Sequence, residues 1–164
     1  KRLLDVACGT GRTLAQIQIA HPALKLYGLD LSPYYVQLAR ESLDDVALVA
    51  ENAEAMPFAD ATFDVVTSTY LFHELPKNAR RKVLSEMVRV LKPGGLVVIE
   101  NSGQLVEARP IAFFLQPSPG DSPEPFYAEY LTDDLAIPMA DAGLADVVAE
   151  PCFVAKVLVG SKPR

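Results

Sequence analysis

The sequence predicts an α/β domain built on a mainly parallel sheet of seven strands with one antiparallel strand. Three observations lead there. Short apolar runs rich in branched residues alternate with stretches of helical period, the pattern of repeated βα units. A Gly-x-Gly turn follows the first apolar run directly and opens a helix near Arg12. The last two apolar runs are joined around Pro151 by too few residues for a crossover helix, so the final strand must return as a hairpin.

Taken in order, the strands are expected at Leu3 to Ala7, Lys25 to Asp30, Ala47 to Ala50, Phe63 to Ser68, Gly95 to Asn101, Ala145 to Glu150 and Phe153 to Gly160. Ser32 followed by Pro33 reads as a helix N-cap with proline at the first helical position, and Val36, Ala39 and Leu43 then share one apolar face. From Pro76 to Leu91, the residues Ala79, Val83, Leu84, Met87, Val88 and Leu91 recur at three and four residues, and Lys92-Pro93-Gly94-Gly95 stops that helix. Thr132 with Asp133 and Asp134 reads as another helix start and Gly143 as its stop, with Pro138 between them predicting a kink or a shortened helix. Residues Ser102 to Leu131 carry five prolines among five aromatic rings with no clean period, which in a compact domain marks a functional lid or disorder.

Composition narrows the function. A chain of 164 residues, half of them hydrophobic and 22% charged, suits one soluble domain with one sizeable core. The balance is acidic, with 21 Asp and Glu against 15 Lys and Arg, and the nearest basic cluster is Arg80, Arg81 and Lys82 on a helix, so nucleic acid is a poor partner. Cys8 and Cys152 lie far apart, in or beside predicted core strands, which predicts reduced, buried, structural thiols and a cytoplasmic location. No apolar run approaches the roughly 20 residues needed to span a bilayer, and no metal site is expected.

The chemistry gathers at Asp5-Val6-Ala7-Cys8-Gly9-Thr10-Gly11. Glycines after a strand let the backbone approach a ligand at the carboxyl edge of the sheet. A dinucleotide fingerprint needs a third glycine, where this chain has Leu14, which weakens an NAD reading. Asp30 ends the second strand about 20 residues on, the usual reach for a carboxylate that accepts from both ribose hydroxyls.

These blocks carry a resemblance. Asp5 to Gly11 resembles the first motif of class I S-adenosylmethionine-dependent methyltransferases of the ubiquinone/menaquinone-biosynthesis-like group, and Gly28-Leu29-Asp30-Leu31-Ser32 resembles their acidic loop. Asn52 to Phe58, Phe63 to Val66 and Arg89 to Gly95 agree in the right order, so the likeness covers nearly the whole chain. It implies a Rossmann-like doubly wound sheet of order 3-2-1-4-5-7-6 in a single domain over residues 1–164, with 102–131 as a substrate-facing insertion. It also implies N-terminal helices over the cofactor. A chain that opens directly on a buried strand gives the expectation that those helices are lacking here.

The resemblance further implies roles. Asp5, Ala7, Gly9, Thr10 and Gly11 would bind the cofactor S-adenosylmethionine, with Asp5 orienting its methionine end or fixing the glycine turn. Asp30 would grip the ribose diol and Leu31 would pack on the adenine. Asn52 stands where the family commonly has Asp; its carbonyl can accept the adenine amino group's hydrogen bond without a charge. Ala53 would offer its backbone N–H to the ring. Ser68 and Thr69 would approach the reacting centre or simply end the fourth strand. His73 with Glu74 is the one acid/base pair to weigh for catalysis, against a structural histidine. The acceptor would be a small molecule, apolar or aromatic if the 102–131 rings face it. A catalytically silent cofactor-binding module and an NAD-dependent reductase are the competing readings.

Overall fold

Leu3, Leu4 and Val6 have no polar group to keep in water, and they form the centre of the first strand, β1 (Arg2–Val6). In the computed structural model, which describes residues 1–105 and 124–164, the chain continues through α1 (Arg12–Ala20), β2 (Lys25–Asp30), α2 (Pro33–Ser42), β3 (Ala47–Ala50) and β4 (Phe63–Thr69). A 3₁₀ turn (Phe72–Glu74) precedes α3 (Lys77–Val90) and β5 (Leu91–Ser102). After residues 106–123 come α4 (Tyr127–Thr132), α5 (Ala136–Asp141), β6 (Ala145–Cys152) and β7 (Ala155–Ser161).

The seven strands form one sheet of order β3-β2-β1-β4-β5-β7-β6, as expected. Five strands run parallel from β3 to β5, and β7 is antiparallel to both β5 and β6. Because successive strand residues face opposite sides, β1 feeds two cores. Leu4 and Val6 pack with Val66, Val97 and Ile99 against Val83, Leu84 and Met87 of α3. Leu3 packs with Leu26 and Leu48 against Leu14 of α1 and Val36 and Ala39 of α2.

The local signals perform as their chemistry requires. The Ser32 hydroxyl accepts from the Tyr35 N–H at 3.3 Å, capping α2 with Pro33 at its first position. The helix read into Pro76 to Leu91 spans Lys77–Val90, and Lys162 Nζ donates to the carbonyls of Val88 and Leu91 at its C-terminal end. Pro138 sits in the first turn of a six-residue helix, where its missing N–H costs nothing, so the helix is short rather than kinked. Its start lies later than expected, with Asp134 Oδ1 accepting from the Ala136 N–H at 3.1 Å.

Four expectations are corrected. Pairing of β5 begins at Leu91, opposite Phe63, and a bulge over Pro93-Gly94-Gly95 carries it to Leu96 opposite Val65. Phe153 and Val154 are not strand but the two-residue hairpin turn; Phe153 takes φ 56°, which such a loop demands, and is 82% exposed. Cys8 is buried but Cys152 is exposed, because β6 is the sheet's edge strand. The 102–131 stretch is not wholly aperiodic, since it contains most of α4; the lid expected there falls largely on residues 106–123, outside the described residues.

Gly28 tests the packing beneath the site. A Cβ there would stand 2.6 Å from Leu48 Cδ2, 2.8 Å from Cys8 Sγ and 2.9 Å from Leu14 Cδ1. Gly28→Ala is therefore expected to destabilise the protein by about 1–3 kcal/mol, the usual range for overpacking a tight core, read as a lower denaturation midpoint.

Candidate active site

At the carboxyl edge of β1 the chain leaves the sheet through three left-handed residues: Ala7 at φ 60°, Gly9 at 53° and Gly11 at 81°. The Cys8 N–H donates to the Leu29 carbonyl at 3.0 Å and the Gly11 N–H to the Cys8 carbonyl at 2.9 Å, which ties this turn to β2. The two glycines do different work. A Cβ on Gly9 would meet no atom within 4 Å, so its bare backbone faces open space, whereas one on Gly11 would lie 2.5 Å from Leu43 Cδ1 of the α2 end. Gly11 thus serves helix packing as well as the turn. Thr10 lies half-buried between them.

One carboxylate anchors this turn, and a second lies just before it on β1. Asp30 Oδ2 accepts from the Gly9 N–H at 2.8 Å and Oδ1 from the Ser32 N–H at 2.9 Å, joining the glycine turn to the loop after β2. Each oxygen keeps a lone pair for a further donor. Asp5 is 1% exposed and accepts from the Thr67 hydroxyl at 2.8 Å. Burial pushes its carboxyl up to about 7, against the Thr67 hydrogen bond, with the Asp30 charge adding to the rise. Burial likewise pushes the Cys8 thiol up to about 12, helped by the charges of Asp5 and Asp30, so Cys8 is an inert packing residue.

Beside the turn lies an apolar cavity of about 130 Å³. Four of the expected cofactor residues, Ala7, Leu31, Asn52 and Ala53, line it. Leu31 is 73% exposed, an apolar side chain held over an opening. Asn52 Oδ1 accepts from the Glu54 N–H at 2.8 Å, so it shapes its own loop while keeping one lone pair. Leu71, Leu75 and Val83 close the far wall. Sequence reading missed these three, because Val83 reads as part of the α3 core face, Leu71 and Leu75 only flank a short 3₁₀ turn, and nothing local shows that they meet at a cavity.

A second cluster sits at the ends of β4 and β5. Thr69 is half-buried at the end of β4, and Ser68, 1% exposed, has a hydroxyl with no hydrogen-bond partner among the described residues. His73 is buried in the 3₁₀ turn, its Nδ1 at 3.2 Å from Asn101 Oδ1 and its Nε2 at 3.5 Å from Glu124 Oε2. The rings of Tyr70, Tyr127 and Tyr130 stand edge-on to the imidazole, with centroids near 6 Å away. The pairing of His73 with Glu74 is corrected: Glu74 is exposed, and the carboxylate at the imidazole belongs to Glu124. Of the basic cluster on α3, Lys82 is exposed but the two arginines are tied into the fold. Arg80 is fully buried, its guanidinium bonded to Asp133, Glu129 and the Leu75 carbonyl, and Arg81 forks onto Asp133.

A doubly wound sheet with this order, a glycine turn at its carboxyl edge and an acid closing the second strand defines a nucleoside-cofactor enzyme of the methyltransferase class. The comparisons agree. Residues 4–99 match the family model described as a methyltransferase domain. Demethylmenaquinone methyltransferase from Geobacillus sp. (strain WCH70) is 34% identical over 170 residues, covering 90% of this chain and 72% of the relative. The enzyme of that name from Anoxybacillus flavithermus is 33% identical, covering 99% and 78%. Among solved structures, a SAM-dependent methyltransferase from Aquifex aeolicus superposes with a TM-score of 0.71 at 24% identity, over 97% of this chain and 80% of that one. The S-adenosylmethionine-dependent methyltransferase SibL gives 0.74 at 22%, over 99% and 50%. The chain belongs to the class I S-adenosylmethionine-dependent methyltransferases of the ubiquinone/menaquinone-biosynthesis type, and its cofactor is S-adenosylmethionine. Neither the silent module nor the NAD-dependent reductase is favoured by these relatives. Among the described residues, no helix is long and apolar enough to cross a membrane.

Proposed function

We propose that the chain methylates a small quinol-type acceptor, with the glycine turn, Asp5 and Asp30 holding S-adenosylmethionine and His73 taking the acceptor's proton. The observation that carries the cofactor half is the junction of Gly9 and Asp30: an open backbone turn and an acid with spare lone pairs, bonded to each other beside an apolar cavity. Asp5, with Thr10 and Thr69, meets the methionine end; Asp30 takes the ribose hydroxyls. Leu31 and Ala7 sandwich the adenine, with Asn52 and the Ala53 N–H at its rim. Bound S-adenosylmethionine supplies an electrophilic methyl on a sulfonium, so the protein's task is to align an acceptor within about 3 Å and exclude water.

The acceptor class rests on the names of the relatives, which act on a demethylmenaquinone. It also rests on the tyrosines of α4, whose rings pack edge-on against His73 and make its surroundings apolar. The same α4 supports reading the 102–131 stretch as substrate-facing. Such a protein works in the cytoplasm, at the pool of its cofactor.

Calorimetry tests the cofactor half. Wild type is expected to bind S-adenosylmethionine and S-adenosylhomocysteine and to ignore NAD. Asp30→Ala should lose at least about tenfold in affinity, since a charged acceptor's hydrogen bonds are worth about 1.5–3 kcal/mol each. Undiminished affinity in that variant removes the ribose assignment.

A further inference from the structure

The geometry points to Asn101 as a positioning residue that holds His73 in the tautomer with its proton on Nδ1, leaving the Nε2 lone pair as the proton acceptor. The assignment runs through one backbone group. Asn101 Oδ1 lies 3.2 Å from the Phe72 N–H, which can only donate, so the amide must present its oxygen and not its nitrogen on that side. The same oxygen lies 3.2 Å from His73 Nδ1, and an oxygen that only accepts requires Nδ1 to carry hydrogen. A neutral imidazole then has its lone pair on Nε2.

The amide is kept there at a cost. Asn101 is fully buried, and its Nδ2 has no hydrogen-bond partner among the described residues. A leucine would remove that unpaired donor, but it would strand the Phe72 N–H and leave the imidazole free to change tautomer. The oxygen is what the position needs.

The functional consequence rests on the reading of His73 as the base. As the acceptor's electron pair forms the bond to the methyl carbon and the C–S pair departs with sulfur, the acceptor's proton passes to Nε2. The resulting imidazolium donates from Nδ1 to Asn101 Oδ1 and from Nε2 towards Glu124 Oε2, 3.5 Å away. Other groups facing the imidazole are the rings of Tyr70 beyond β4 and of Tyr127 and Tyr130 on α4. On β7, Lys156 stands in register with Asn101, and its Nζ lies 3.8 Å from Asp134 Oδ1. Arg80 lies over the Tyr130 ring at 5.8 Å.

The test is spectroscopic first. The chain has two histidines, and His21 is exposed, so long-range ¹H–¹⁵N spectra of the ¹⁵N-labelled protein resolve His73 against an internal solvent-exposed reference. At pH 8 His73 should show a protonated Nδ1 and an unprotonated Nε2. Asn101→Asp, which keeps the oxygen, should retain that pattern; Asn101→Leu should lose it. A wild-type spectrum with the proton on Nε2 overturns the assignment, without need of any variant.

Turnover of a naphthoquinol probe then separates the two ideas. His73→Gln should lose turnover at least tenfold while keeping S-adenosylhomocysteine affinity, and Asn101→Asp should move the acidic limb of the rate profile to higher pH, since a carboxylate favours the imidazolium. An unmoved limb with turnover intact overturns the positioning role. Full turnover in His73→Gln removes the base reading instead, and the tautomer measurement still judges Asn101.

Discussion

Asp5→Asn is expected to stabilise the ligand-free protein at pH 8 while weakening its hold on S-adenosylmethionine. The Asp5 carboxyl, 1% exposed, is pushed up to about 7 by burial. Between the ordinary carboxylate value and pH 7 the native state therefore holds a proton that the unfolded chain releases. Stability contributed by this group is full at low pH and falls as pH rises through that window, by about 4 kcal/mol for three units. Asparagine is neutral at every pH and can still accept from the Thr67 hydroxyl, whose bond to Asp5 is 2.8 Å. Thermal melts should show the variant gaining most at pH 8, the gain shrinking as pH falls below 7 and vanishing only below the ordinary carboxylate value of 3.8, where Asp5 is neutral in both states. A gain independent of pH would show that the buried charge is not its source. In the proposed site, the cofactor's ammonium group favours ionised Asp5, so wild-type affinity should rise as pH increases through 7, and the variant should lose both the affinity and its pH dependence.

Asp133→Ala should be the most damaging single change to stability away from the cofactor. Asp133 is 8% exposed and accepts from Arg80 at 2.7 Å, from Arg81 at 2.6 and 3.0 Å and from Lys77 at 3.2 Å. Burial raises its carboxyl, but the hydrogen bonds from Arg81 and Lys77 outweigh it and hold the group below the usual carboxylate range. Removing it leaves the fully buried Arg80 with the half-exposed Glu129 as its remaining acid. Breaking one side of a buried ion pair costs about 3–5 kcal/mol, which in a domain of this size lowers the melting temperature by on the order of 10 °C. The contribution of native Asp133 is present above the ordinary carboxylate value and disappears as pH falls through its lowered one, so wild type and variant should converge in acid. A melting temperature within a degree or two of wild type would show that the buried Arg80 does not depend on this anion. Because α3 and α4 are tied here, the variant should also loosen Tyr127 and Tyr130 at His73.

How much of this was legible in the residues follows from how local each signal is. A strand such as Leu3 to Val6 declares itself through apolar side chains that must leave water, and Ser32-Pro33 declares a helix start through a hydroxyl and a preset φ. The residues proposed to hold the cofactor were legible for the same reason. Ala7, Gly9, Gly11 and Asp30 sit on two strand ends, and the turn chemistry that brings them together is written in a few neighbouring residues. Even there, the division between Gly9, which faces open space, and Gly11, which faces Leu43, needed the packed α2.

The second cluster follows the opposite rule. The residues meeting His73 and Arg80 come from 28 and 53 positions away, so no window of sequence contains the pair. Arg80 reads as one of three surface cations and is fully buried; Glu74 stands next to His73 in the chain, while Glu124 stands next to it in space. The sequence alone determined which segments are strands, the Ser32-Pro33 helix start and the acid-and-glycine turn proposed to take the cofactor, because each is a solvation or backbone preference of adjacent residues. Only the tertiary structure decided which charges are buried and which oxygen faces His73, because those depend on segments that touch only after the sheet has brought the ends of β4 and β5 under α4.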